Sequence, residues 1–489
     1  MSLFSTLNTA NTALQAQQRA IDVTGQNVAN VNTDGYSRQR AEMQSVGGNA
    51  VPAFWSVSSD VGSGVDASTV SRIRDAFLEA QAQNEHADTQ SLTVQDASYT
   101  QVQQAFREPG VTGIQSMLSN FWAGFGDIAN NATDPGARTQ LLQRAQTLSA
   151  GLHSTAGSLD QQWAQTRDGL STLLTDVNAT AQSIADLNKS IKGATLSRLD
   201  SNSLQDKRDL LVMHLADQIG ATSTRMEDGT LTVTVGGISL VSGNDAIALR
   251  LTGGNNVSDT ATNPQTVVTS PGGAAVAAGG TAAGQLTTMN SIIPGYETQL
   301  NGIAQQLADQ VNGVHKDGYD LYGNKGTAMF DDGTGGTTGV TAANINVAIS
   351  DPKEIAIAAL APTDVDPAAT QKADGSWTAI SGDHTIGDRF YQLRLGTPQP
   401  DGTYADGADS TYRKMIVALG VQASTTSNNL TTQSAVSTQV DSSRESTSGV
   451  NIDEEMTNML QFQHAYAAAG QLVSTVQSMM DTLMNMVQG

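Results

Sequence analysis

Apolar residues recur every seven positions at both ends of this chain. At the start, Leu7, Leu14, Ile21 and Val28 keep the interval, with Leu3, Ala10, Gln17 and Thr24 at the second heptad position. At the end, Met459, Tyr466, Val473, Met480 and Val487 repeat it, and Phe462, Ala469, Val476 and Leu483 fill the second position. These intervals put the apolar side chains on one face of a helix, as a seam that wants a partner helix. A third set, Leu170, Val177, Ile184 and Ile191, with Leu173 and Leu187 alongside and Trp163 upstream, predicts a long helix of a bundle. From spacing alone, such a stripe fits the seam of a monomeric bundle better than an assembly interface. The matched termini still invite a simple reading, in which they pack on each other and on further copies.

Between the ends the pattern alternates. Helix is predicted over 2–30, with Ser2 as a plausible N-cap, and stops at the turn formers Asn30 to Gly35. Residues 36–72 read as extended pieces or small hairpins. Helix resumes over 74–106 until Glu108-Pro109-Gly110, then over 113–132 and 137–192 with Asp134-Pro135-Gly136 between them, and over 202–218. Residues 229–237 alternate with period two and end in glycine, a strand signal inside a Thr/Val/Gly/Asn-rich stretch over 221–283. Helix returns over 285–315, with Ile292, Ile303, Leu307 and Val311 as its apolar positions. A Gly/Thr/Asp-rich stretch, 317–408, carries a short apolar run at Ile355–Leu360 and a strand candidate at Arg389–Leu395. From Ser410 the chain reads as helix to its end, apart from residues 446–451.

The fold class predicted is mainly α with β inserts: an elongated multi-domain rod, its N- and C-terminal helices paired in a coiled coil, with a long helical bundle and outer Gly/Thr-rich β or mixed domains. The expected division is 1–60 with 445–489 as a terminal coiled-coil unit, and 61–220 with 285–316 and 409–444 as a helical bundle. Residues 221–284 form a β insert and 317–408 a mixed outer insert. This layout looks like a rod with knobs on its outside.

Composition removes whole classes of function. The 489 residues carry a formal charge of −22 with only 25 Lys and Arg, in no basic cluster, which disfavours nucleic acid and anionic membrane surfaces as partners. Cysteine is absent, so disulfides and thiolate metal sites are excluded. No run of 18 apolar residues is present, and the first residues lack the basic and apolar regions of a cleaved signal peptide. The six histidines, His86, His153, His214, His315, His384 and His464, include no pair at helical metal-binding spacing. Asp317 to Asp320 and Asp331-Asp332-Gly333 resemble fragments of calcium loops but lack the alternating ligands and closing Glu, so plain turns explain them better. Asp453-Glu454-Glu455 complements the dipole at the start of the last helix and has no basic partner nearby in sequence. No catalytic, cofactor or metal residue stands out, and no enzyme is predicted.

Two segments carry a resemblance. Residues 17–39, ending Asn30-Val31-Asn32-Thr33-Asp34-Gly35-Tyr36-Ser37-Arg38-Gln39, resemble the N-terminal signature of bacterial flagellar axial proteins, the rod, hook and hook-associated proteins. Gly35-Tyr36-Ser37-Arg38, Ser448 to Gln463 and the internal His315 to Gly323 are similar to the hook-associated branch in particular. The resemblance implies a structural subunit exported through the flagellar type III channel without a cleaved signal peptide, and so an extracellular place on the flagellum. It implies a ring of copies at the hook–filament junction that serves as platform for filament assembly. Partners implied are further copies of the chain, the hook protein, a second junction protein adjoining the filament and a cytoplasmic export chaperone on the C-terminal helix. The assembly residues expected are Leu7, Leu14, Ile21, Val28, Met459, Phe462, Tyr466, Val473, Val476, Met480 and Leu483. The family-motif residues are Asn30, Thr33, Gly35, Tyr36, Asp453, Glu454 and Glu455. Residues 1–40 and 450–489 are expected to gain order on assembly. The alternatives are another axial subunit, of hook or distal rod, or a secreted acidic adhesin or surface protein.

Overall fold

Helix formation at both chain ends follows the apolar periodicity. The computed structural model describes residues 3–47, 62–377, 383–399 and 404–488, so the Ser2 cap and the side chains of Leu3 and Val487 lie outside what is described here. The first helix, α1, is Leu3–Ala29. An antiparallel pair follows, β1 (Gln39–Val46) and β2 (Gly64–Arg72), in register from Gln39 opposite Arg72 to Val46 opposite Gly64 with a bulge between Glu42 and Gln44. The helical body comprises α2 (Ala76–Phe106), α3 (Ile114–Asn130), the 62-residue α4 (Pro135–Leu196) and α5 (Asn202–Ile219). Asp75 and Asp134 cap α2 and α4 by accepting backbone N–H groups, and Pro135 opens α4, where its missing donor costs nothing.

The stripe on α4 is completely buried. Leu170, Val177, Ile184 and Ile191 are all sealed from solvent, as is Trp163, while Leu173 and Leu187 flank the stripe half-buried. What covers the C-terminal part of this face is a small β-domain. Strands β3 (Thr222–Arg225), β4 (Leu231–Val235), β5 (Ile238–Ser242) and β6 (Asp245–Ala246) form one antiparallel sheet, and β7 (Ala248–Thr252) pairs with β8 (Thr266–Ser270). The β4–β5 turn needs two residues with positive φ, and Gly236 and Gly237 supply them at 54° and 81°. Two asparagines of α4 bracket the strands. Asn188 accepts from the Leu231 N–H and donates to the Leu231 and Gly243 carbonyls, and Asn178 bonds both backbone groups of Leu249. Buried strand edges that would lack partners are thereby satisfied.

The chain returns to the bundle through α6 (Gly280–Thr287) and α7 (Ile293–Asp317), joined by one π-helical turn at Thr288–Ile292. Pro294, in the first turn of α7, cannot donate to the preceding turn, and the wider turn absorbs the lost bond. Trp163 Nε1 donates to the Met289 carbonyl at 3.0 Å in that turn.

The following segment has little regular structure: β9 (Phe330–Asp331), β10 (Asn346–Val347), α8 (Pro362–Val365), α9 (Thr385–Gln392), β11 (Thr397–Pro398) and β12 (Tyr404–Ala405). The strand expected at Arg389–Leu395 is a correction, because this stretch is the end of α9 and a 3-10 turn. Ile386, Phe390 and Leu393 are the buried residues, spaced four and three apart as on a helix face, and Phe390 stacks on Phe125 of α3 at 4.1 Å. The run Ile355-Ala356-Ile357 is core without being a strand, and the buried Arg138 of α4 donates to the Ile355 carbonyl at 2.6 Å. Two long helices, α10 (Ala408–Ser448) and α11 (Ile452–Gln488), complete the chain. Helix α10 packs along α2, and α11, about 55 Å long at 1.5 Å per residue, packs on the shorter α1. None of the described helices is long and apolar enough to cross a membrane.

Candidate assembly interface

The two chain ends are locked together by one polar latch. Asn27, in the last turn of α1, uses all of its hydrogen-bonding capacity. Its Oδ1 accepts the Gln39 N–H at 3.0 Å and the Tyr36 hydroxyl at 2.8 Å. Its Nδ2 donates to the Gln39 carbonyl and to Glu455 Oε2, both at 2.9 Å. Arg38 completes the arrangement. Its Nε donates to Glu455 Oε1 at 2.7 Å, one Nη to Glu454 at 2.8 Å, and its backbone N–H to the Ser448 carbonyl at 2.9 Å. The Glu455 side chain is 3% exposed, so its charge is stable there only because a guanidinium and an amide hold it. Burial, with the charges of Asp206 and Glu455, pushes the Tyr36 phenol up to about 12, and it stays a donor.

The motif around the latch is a chain of turns. Asn30 Nδ2 donates to the Gln26 carbonyl, the Thr33 hydroxyl donates to Asn30 Oδ1, and the Tyr36 N–H reaches the Thr33 carbonyl. Gly35 has φ +76°, and a β-carbon there would stand 3.2 Å from Leu210 of α5, so the turn takes glycine. Asn451 caps α11 by accepting the Asp453 and Glu454 N–H groups. The motif residues thus divide: Tyr36, Glu454 and Glu455 meet in the latch, Asn30, Thr33 and Gly35 shape the turn, and exposed Asp453 stands in the first helical turn. The basic partner of Glu454 and Glu455 is Arg38, more than 400 residues away in sequence. Asn27 and Arg38 do more than any residue singled out from the pattern. Both lie in the resembling segment 17–39, and Arg38 ends the Gly35-Tyr36-Ser37-Arg38 signature, but neither was among the motif residues expected.

The apolar stripes are placed differently from the one on α4. Leu7, Leu14, Ile21 and Val28 are half-buried at the edge of the α1 contact. Its centre is small: Ala10, Ala16, Ala20, Val23 and Thr24, under α11 and the β1–β2 pair. On α11, Val476 is buried, Met459, Phe462, Val473 and Met480 are half-buried, and Tyr466 and Leu483 are exposed. The pair leaves two further apolar rows uncovered, Ile452, Met456 and Leu460 near its start, and Leu472, Met479, Leu483 and Met486 towards its end. Rows of this size are uncommon on the outside of a monomer.

The other candidate groups are structural. His315 is sealed in the core, with Nδ1 against the Thr327 carbonyl and Nε2 accepting the Ala356 N–H, and burial lowers its pKa so the ring is neutral. Asp320 and Asp332 spend their carboxylates on backbone N–H groups of their own turns. Among the described residues, no group of three or more His, Asp or Glu is placed to hold a metal ion.

The helical body thus ends in one long, latched and partly uncovered helix pair, the architecture of an elongated structural subunit. Three family models match the chain. Flagellar hook-associated protein FlgK helical domain matches residues 99–330, flagella basal body rod protein matches 7–36, and flagellar basal body rod FlgEFG protein C-terminal matches 442–486. The last two hold the two sides of the latch, except that Arg38 and Gln39 lie just past the first. Flagellar hook-associated protein 1 of Bacillus subtilis is 27% identical over 523 residues, covering 99% of this chain and 98% of that protein. Its counterpart in Escherichia coli is 25% identical over 555 residues, covering 98% and 99%. The fold is similar to that of the flagellar hook junction protein FlgK from Burkholderia pseudomallei, with a TM-score of 0.59 at 20% identity, covering 76% of this chain and 100% of that one. The chain is thus similar to flagellar hook-associated protein 1 over nearly its whole length, and it is a structural component of the bacterial flagellum.

Proposed function

We propose that this protein forms a ring of copies at the hook–filament junction, seated on the hook protein and presenting a platform to a second junction protein and then to the filament. The observation that carries this reading is the α1–α11 pair: it is closed by a specific latch yet leaves apolar rows along its length uncovered. In a ring, neighbouring pairs bury those rows and the half-buried stripes of Leu7, Leu14, Ile21 and Val28, and the pairs together line an inner tube. The role is one of structure, with no catalytic step. Export through the flagellar type III channel fits a cysteine-free chain, and the exposed methionines of α11 suit a groove on an export chaperone that holds the helix until assembly.

The test is capping of isolated, filament-free hooks, seen by negative-stain electron microscopy. Intact protein should form a cap at one hook end, and a chain ending at Asn451 should not. A folded intact monomer that leaves the hook ends bare would overturn the junction reading; equal capping by both chains would move the contact away from α11.

A further inference from the structure

A second cluster of charge lies beside the latch. Four arginines from three parts of the chain line one cavity of about 160 Å³: Arg72 at the end of β2, Arg74 just beyond, Arg208 on α5 and Arg225 on β3. Three carboxylates answer them, Glu79, Asp206 and Asp209, and they are heavily shared. Asp209 faces Arg72, Arg74 and Arg208 at once, and Glu79 pairs with Arg74 and more distantly with Arg444. The Arg208 side chain is 1% exposed, its one carboxylate contact is a long 3.4 Å, and its Nη1 donates to the neutral oxygens of Asn188 and Gly229. Arg225, at the cavity mouth, donates to Gln205 Oε1 and makes no ion pair among the described residues. Burial and the neighbouring cations lower the pKa of both Arg208 and Arg225. Four guanidinium groups against three carboxylates leave a positive charge uncompensated, in a chain of net charge −22.

We propose that this cavity is a binding site for a small oxyanion of the phosphate or sulfate class, held between Arg225 and the inner arginines. Guanidinium groups offer paired N–H donors that match such an anion, and they are its usual ligands in partly dry sites. The volume is close to that of an engineered cavity of about 150 Å³ that takes a benzene-sized guest. One tetrahedral oxyanion with a water or two therefore fits. The anion would join β2, which carries the chain up from the α1–α11 latch, to β3 of the β-domain and α5 of the bundle. It would act as a removable rivet at the joint between the terminal pair and the body.

Calorimetric titration of inorganic phosphate into the full chain tests this, with ionic strength held constant by chloride. One saturable site is expected. Arg225→Gln, at an exposed position that tolerates the change, should weaken it about tenfold, the loss of one charge-assisted contact. Arg40→Gln, an exposed arginine of β1, should leave the affinity unchanged. Thermal unfolding in chloride establishes that both variants are folded, and phosphate should raise the unfolding midpoint of the wild type more than that of Arg225→Gln. No saturable binding by the folded wild type, or equal binding by Arg225→Gln, would overturn the proposal.

Discussion

Three helices in this molecule carry the same seven-residue interval, and the one in the body meets the opposite fate to the two at the chain ends. On α4, Leu170, Val177, Ile184 and Ile191 are all sealed inside the monomer. On α1, Leu7, Leu14, Ile21 and Val28 are only half covered, and on α11 exposed apolar rows flank the covered one. The α4 stripe meets the β-domain and other bundle helices, which come from several directions and close around it. The α1 stripe meets one helix and a two-stranded pair, which cannot surround it. Periodicity therefore reports that a seam exists, and burial reports how much of that seam the monomer uses. The polar groups follow the same division. Asn178 and Asn188 on α4 finish the edges of a core, whereas Asn27 and Glu455 pin two helices across a seam that the monomer only half covers.

The comparison breaks first if α4 tolerates truncation. Ile184→Ala should cost about 3–4 kcal/mol of unfolding free energy, from lost transfer energy and the cavity left behind. Denaturant titration followed by the fluorescence of the buried tryptophans checks this, and a loss under about 1 kcal/mol would mean the body is not the rigid partner. Next comes the latch. Arg38→Met leaves Glu455 buried without its cation, at a cost of about 3 kcal/mol to the docking of α11 on α1. Amide exchange across α11 should then accelerate on the order of 100-fold while α4 stays protected, and α1 and α11 should already exchange faster than α4 in the wild-type monomer. Slow exchange at both termini of a dilute monomer would contradict the view that these helices complete their packing in the assembly.

A smaller effect reports on how the helices of the body are held to one another. His86 of α2 lies between Asp217 of α5 and Asp441 of α10, at 3.0 and 2.9 Å. Hydrogen bonding to Asp217, then to Asp441, raises its pKa to about 9 against an opposing burial effect. A raised pKa means the charged form favours the fold. The contribution is complete below the unfolded value of about 6.5, and is lost as pH climbs through about 9. The site is partly open to solvent, so about 1 kcal/mol is the expected size, read as the difference in stability between pH 6 and pH 10 that His86→Gln abolishes. The smallest effect on the monomer should come from Leu483→Ser, within about 0.5 kcal/mol because the side chain already meets water. The same change should abolish hook capping, so that stability and assembly separate in a single variant.

Sequence by itself determined most of the helices and the breaks between them, because apolar periodicity and turn formers act over a few residues. It also marked the β-rich insert, the lack of thiol chemistry and the two terminal signatures. The exception at Arg389–Leu395 has the same local origin. Its window left out Ile386, without which Phe390 and Leu393 do not read as one helical face. Only the tertiary structure decided which stripes are finished and which are left open, since a side chain's burial depends on elements hundreds of residues away. It alone set Arg38 against Glu455, made Asn27 the centre of the latch and gathered four arginines around one cavity. An ion pair or a buried amide needs geometry good to a few tenths of an ångström, and that precision exists only once the chain has folded.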